Sequence, residues 1–137
     1  MASLPLGRAN FGTLKNLKLV SLEEEGRVSI DEPFFRVLLG SMIQTIEFDP
    51  AFYLAKYADI GTAIRKGLVG SAHAHYVQSG YFEGRLPRRI PVDERWYVAT
   101  YSDVGKAVKA GLFKNGQQHF EENGFREGRL PSAGFIL

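Results

Sequence analysis

Phe48-Asp49-Pro50-Ala51-Phe52-Tyr53-Leu54 opens a stretch that closes on Glu83-Gly84-Arg85-Leu86-Pro87. A shift of 44 residues lays Val92 to Pro131 over it without a gap, and 16 of the 40 positions from Phe48 to Pro87 are identical. Asp49, Tyr53, Tyr57, Asp59, Gly67, Leu68, His75 and Gly80 meet Asp93, Tyr97, Tyr101, Asp103, Gly111, Leu112, His119 and Gly124. The run Glu83 to Pro87 meets Glu127 to Pro131 unchanged. Chance does not yield this at one ungapped offset, and a duplicated supersecondary unit dictates the fold.

Each copy reads as three short helices. Asp49 and Asp93 are N-cap residues, with Pro50 at the favoured first helical position. Phe52, Tyr53 and Tyr57, and likewise Trp96, Tyr97 and Tyr101, follow helical spacing and form an inner stripe. Asp59 and Asp103 are read as the next caps, opening helices that stop at Gly67 and Gly111, where glycine suits the left-handed conformation. Ser71 and Asn115 cap a third helix that carries His75 or His119 and closes at Gly80 or Gly124. Proline then forbids further helix. Units of about 40 residues bury little core alone, so the copies are expected to pack side by side. The expected shared core is Tyr53, Leu54, Tyr57, Ile64, Tyr97, Val98, Tyr101 and Val108.

The preceding residues differ. Leu17-Lys18-Leu19 and Val28-Ser29-Ile30 alternate around Glu23-Glu24-Glu25-Gly26, which predicts a β-hairpin. Phe34, Phe35, Leu38, Leu39, Met42, Ile43 and Ile46 recur at spacings of three and four, which favours a helix over the competing strand through Phe35 to Leu39. This apolar stripe packs the repeats or forms a subunit contact. The fold class is therefore mainly α: a hairpin and amphipathic helix over residues 1–47, a candidate oligomerisation element, then repeats at 48–91 and 92–137 that pack as one unit.

The segments Phe48 to Leu54, Tyr57-Ala58-Asp59-Ile60, His75-Tyr76 and Gly80 to Arg85, with their second copies, resemble a short bacterial helical module. Its pattern is roughly FDxxYYLxxYPDVxxA…HYxxxGxxEGRxP. Modules of this kind accompany bacterial polysaccharide glycosyltransferases and large secreted proteins with calcium-binding repeats. The resemblance spans residues 48–131 and implies a polysaccharide or cell-surface context. It carries over no catalytic residue. Ala58 and Ser102 stand where the pattern has proline.

Composition narrows the chemistry. The 137-residue chain has no cysteine, which removes disulfides and thiol catalysis, and a net charge of +2 is too small to imply nucleic acid or an anionic membrane. No apolar run approaches the 20 or so residues of a membrane span. Met1 to Asn16 lacks a basic start followed by an apolar stretch, so no secretory leader is expected and the cytoplasm is the default location.

His73 and His75 are two apart, whereas a helical zinc pair needs a spacing of three or four, and a site shared by His75 and His119 would need them to face each other with a carboxylate between; each of these two is instead expected to cap or bridge backbone at a polar corner. Arg85 and Arg129 suit a carboxylate or phosphate, or else brace their own turn against a capping aspartate. Arg85, Arg88 and Arg89 beside Tyr81 and Phe82 are too few charges to make single-stranded nucleic acid a favoured partner. The aromatic stripe reads as core before it reads as a sugar platform. No phosphate loop or nucleophile elbow is present.

The expected function is thus a non-catalytic protein-interaction or assembly module with no cofactor. It acts on a protein partner or on itself, with Phe34, Phe35, Leu38, Leu39, Met42 and Ile43 as the interaction residues. The alternatives are a carbohydrate-binding accessory, with a glycan as partner, and a small histidine-dependent enzyme.

Overall fold

A computed structural model describes residues 10–135. Of the segment read for a leader, residues 1–9 lie outside the described residues. The chain is mainly helical, with eight α-helices and one two-stranded antiparallel sheet among the described residues. It divides into two compact units, Met1–Thr45 and Ile46–Leu137.

In the first unit, α1 spans Phe11–Asn16, and the Asn10 side chain accepts the Thr13 N–H at its start. β1 (Val20–Leu22) pairs with β2 (Val28–Ile30), with Ser21 opposite Ser29. The first strand thus lies later than Leu17–Leu19, since a left-handed Lys18 (φ 58°) ends the α1 turn. The acidic run closes the hairpin through a 3₁₀ turn in which Glu25 and Gly26 both take positive φ. α2 covers Glu32–Ile43, with Asp31 as N-cap to the Phe34 N–H and proline in the first turn. Helix therefore prevails over strand here. Phe34 and Ile43 are buried and Leu39 is half-buried, while Phe35, Leu38 and Met42 are exposed.

The second unit contains α3 (Pro50–Lys56), α4 (Ala58–Arg65), α5 (Ala72–His75), α6 (Glu94–Thr100), α7 (Ser102–Lys109) and α8 (Gly116–His119). Wide π turns at Tyr76–Gly80 and Phe120–Gly124 prolong α5 and α8. Asp49, Asp93, Ser71 and Asn115 each cap a helix with the side chain. Asp59 and Asp103 do not: the residues before α4 and α7 are Tyr57 and Tyr101, and both aspartates sit inside the first turn. Gly67 and Gly111 take positive φ, as a helix stop requires.

The Glu-Gly-Arg-Leu-Pro strings lead the chain back to the starts of α3 and α6. Asp49 donates its N–H to the Pro87 carbonyl at 3.0 Å, and Asp93 does the same to Pro131 at 2.9 Å. Leu86, Ile90, Tyr97, Val104 and Phe120 form one buried cluster, with Trp96, Val98, Tyr101 and Val108 half-buried around it. Leu54 departs from the expected core and is exposed, while α3 buries Tyr53 and packs Phe52 partly buried against the cluster.

Candidate functional site

Two polar constellations recur 44 residues apart, and both are consumed internally. Tyr53 and Tyr97 are fully buried on α3 and α6. Their hydroxyls share hydrogen bonds of 2.8 and 2.9 Å with Nδ1 of His75 and His119. Neither histidine serves as the expected backbone cap; each is the partner of a buried phenol. Burial pushes the Tyr97 hydroxyl up to about 12 and raises Tyr53 further, so both stay protonated. Gly80 and Gly124 lie where these hydroxyls enter the π turns. A Cβ at either position would fall inside 3.0 Å of the tyrosyl oxygen. Neither glycine takes positive φ, so the requirement is space rather than a helix stop.

The arginines make the second constellation. Arg85 forks onto Asp59 at 3.1 and 3.0 Å and donates from Nε to Glu83 at 2.6 Å. Its guanidinium lies 4.9 Å from the Tyr57 ring centroid. The Tyr57 hydroxyl in turn accepts the Leu86 N–H at 2.8 Å. Arg129 repeats this with Asp103 at 2.8 and 2.7 Å, Glu127 at 2.8 Å and Tyr101 at 4.9 Å. Tyr101 likewise accepts from Leu130. The charge-assisted fork suits guanidinium geometry. It holds the Asp103 carboxyl at about 2 and lowers that of Asp59.

The chain matches no family model, no curated protein and no solved structure.

A cleft of about 520 Å³ lies in the second unit. Lys56, Tyr57 and Arg85 line it on one side, with Glu121, Phe125 and Arg126 from later in the chain. Arg85 is neutralised by its own carboxylates, whereas Lys56 and Arg126 make no ion pair among the described residues. Gly84 has φ 71°, and a Cβ there would come within 3.0 Å of the Arg126 side chain. The cleft therefore rests on backbone that only glycine supplies comfortably. Of the basic knot, Arg88 pairs with Glu47 at 3.3 Å and Arg89 lies 3.9 Å from Glu121. Among the described residues no cluster of three His, Cys, Asp or Glu could hold a metal ion, and no helix is long and apolar enough to cross a membrane.

Sequence reasoning missed the Tyr–His pairs and the role of Gly80 and Gly124. The signal was present: tyrosine, histidine and glycine are kept as a set in both copies.

Two results follow. Replacing Arg85 or Arg129 by alanine should each cost about 1–2 kcal/mol, kept low because the aspartate partners face solvent. The two losses should be similar, since the two geometries are. A urea midpoint unchanged by either substitution would contradict the brace.

Acid should act in two stages. His75 titrates below its ordinary 6.5, chiefly through burial and secondarily through the Arg85 charge. The unfolded chain therefore takes up this proton first, so the His75 contribution is complete above about 6.5 and is lost as pH falls through the lower folded value. A second decline should begin below 3.8, as the depressed aspartates are protonated in the unfolded chain first, and run towards about 2 for Asp103. Arg129→Met should flatten that second stage. Urea midpoints that stay level from pH 8 to pH 3 would rule out both contributions.

Proposed function

We propose that residues 48–131 are two copies of one three-helix unit, and that the chain is a non-catalytic interaction or assembly module. One observation carries the reading. The polar groups that recur at the 44-residue offset are spent on internal bonds, while large apolar side chains that recur with them stand in solvent. Leu68 and Leu112 are 76% and 73% exposed, each just after a helix-ending glycine. Exposed Phe35, Leu38 and Met42 on α2 add a second apolar surface. A link to bacterial polysaccharide or cell-surface assembly rests on the motif resemblance alone. Cross-linking with mass spectrometry in native extract, comparing the wild type with Leu68→Glu/Leu112→Glu, tests the module. Cross-links lost in the variant are expected; a chain that cross-links to no protein, itself included, removes the reading.

The cleft favours a second reading, a carbohydrate-binding accessory. The Phe125 ring beside Lys56 and Arg126, neither of which makes an ion pair among the described residues, offers apolar contact and hydrogen-bond donors to a polar polymer. Calorimetric titration with acidic and neutral oligosaccharides should give heat that Phe125→Ala abolishes. No heat with either class ends this reading. The buried Tyr53 and Tyr97 are not its platform. A histidine-dependent enzyme is not favoured, since both Nδ1 atoms are already bonded to tyrosine.

A further inference from the structure

A net charge of +2 hides an uneven distribution. Between Asp59 and Glu83 the chain carries Arg65 and Lys66 and no acidic residue; between Asp103 and Glu121 it carries Lys106, Lys109 and Lys114 and again none. All five residues are exposed, and none makes an ion pair among the described residues. Arg65 donates to the Thr62 hydroxyl at 3.0 Å. The bounding carboxylates are engaged elsewhere, Asp59 and Glu83 by Arg85, Asp103 by Arg129 and Glu121 by Gln117. Within each basic stretch stands a leucine. Leu68 and Leu112, at 76% and 73%, are the two most exposed large apolar side chains among the described residues. Each follows a glycine of positive φ at the end of α4 or α7, and the next residue, Val69 or Phe113, is half-buried. Each leucine is thus a single apolar tip on a tight corner. Helix-end charge accounts for Arg65, Lys106 and Lys109 in the last turns, but for neither leucine nor for Lys114, which lies beyond α7.

The chemistry of the corners selects the occupant. Scattered exposed leucines are ordinary, so it is the pairing with uncompensated cations that carries information. A protein partner would meet one leucine and several lysines at each corner, and the centres of protein interfaces are depleted of lysine. Nucleic acid would take the cations and leave the leucines in water. The surface of an anionic bilayer uses both: the leucine enters the boundary between headgroups and acyl chains, while lysine stems lie along apolar surface and hold their ammonium groups at phosphate level. We propose that the α4–α5 and α7–α8 corners dock the protein on an anionic bilayer, with Leu68 and Leu112 inserted and Arg65, Lys66, Lys106, Lys109 and Lys114 on lipid phosphates. Both corners belong to one compact unit, Ile46–Leu137. The contact is peripheral, since no helix among the described residues is long and apolar enough to cross a membrane. The inference rests on the reading above that gives Leu68 and Leu112 to an interaction surface, and it names the partner of that surface.

Vesicle flotation tests it, using the full chain and vesicles of phosphatidylcholine alone or mixed in equal parts with phosphatidylglycerol. Wild type should float with the mixed vesicles at low salt and not with phosphatidylcholine alone, and binding should fall as salt rises. Leu68→Gln and Leu112→Gln leave every charge in place, and each should weaken binding about tenfold. Lys66→Gln/Lys114→Gln leaves both leucines in place and should also weaken it about tenfold. Urea midpoints equal to wild type are expected, since every substituted side chain is exposed, and they establish that the variants are folded. Wild type that fails to float with the mixed vesicles at low salt overturns the proposal. So do leucine variants that bind as wild type does, because attachment is then by charge alone, which any polyanion would satisfy. A lysine variant that binds as wild type does overturns it as well. The module reading is judged separately, by cross-links in native extract. If those depend on the leucines while no vesicle is bound, the leucines meet a protein and only the membrane contact falls. If vesicles are bound through the leucines and no protein is cross-linked, the module reading falls and the membrane contact stands.

Discussion

Replacing Gly124 by alanine should destabilise the chain by about 3–5 kcal/mol. The new methyl would lie inside 3.0 Å of the Tyr97 hydroxyl, and Tyr97 is fully buried, so the ring has nowhere to retreat. Moving it breaks the 2.9 Å bond to Nδ1 of buried His119, which leaves two polar groups without partners. The sign is diagnostic, because an unconstrained helical glycine gains roughly 0.5–1 kcal/mol on becoming alanine. Tyr97→Phe alone should cost about 1–2 kcal/mol, for the unpaired imidazole. Together the two substitutions should be far less harmful than Gly124→Ala, since without the hydroxyl the methyl meets Cζ and Nδ1 at 3.4 Å. Such rescue is non-additivity between touching groups. Urea denaturation of the four proteins completes the cycle, and a Gly124→Ala midpoint at or above wild type would refute the packing. Gly80 and Tyr53 should behave alike.

The helix starts and stops of the second unit were legible because each rests on local chemistry. Asp49, Asp93, Ser71 and Asn115 accept an N–H three residues on, and Gly67 and Gly111 supply positive φ. These signals act over one turn and are visible in the string. Asp59 and Asp103 misled for the same reason. An aspartate near a helix start reads as a cap, whereas the bond that claims it comes from an arginine 26 residues later. The Tyr–His pairs span 22 residues and were hidden likewise. In the first unit Leu17–Leu19 alternates as a strand does, but the left-handed Lys18 that ends α1 has no signal in the string.

The same limit governs the candidate site. Arg85 and Arg129 were found through their repetition, but repetition cannot reveal which copy is covered. That difference is tertiary: the identical string Glu-Gly-Arg-Leu-Pro sits under a neighbour at one end and under solvent at the other.

Leu86 and Leu130 turn this difference into the second large effect. Leu86→Ala should cost about 2–4 kcal/mol, the usual range for removing buried methyl groups and leaving a cavity. The side chain is 1% exposed within the cluster of Ile90, Tyr97, Val104 and Phe120. Its N–H is also tied to the Tyr57 hydroxyl, so the backbone there cannot readily collapse into the space. Leu130→Ala removes the same atoms from the same five-residue string, with the same tyrosyl anchor on its N–H. Local conformation and turn propensity therefore cancel between the two substitutions, and the packing of Leu86 against Ile90, Tyr97, Val104 and Phe120 distinguishes them. At 42% exposure Leu130→Ala should change stability by no more than about 0.5 kcal/mol in dilute solution. The comparison is made by urea denaturation at a concentration where the wild type is monomeric. Equal losses at both sites would mean that Leu130 is covered as Leu86 is, and negligible losses at both would mean that Leu86 is not part of the buried cluster. A large loss at Leu86 alone is the result that its burial against Ile90, Tyr97, Val104 and Phe120 requires.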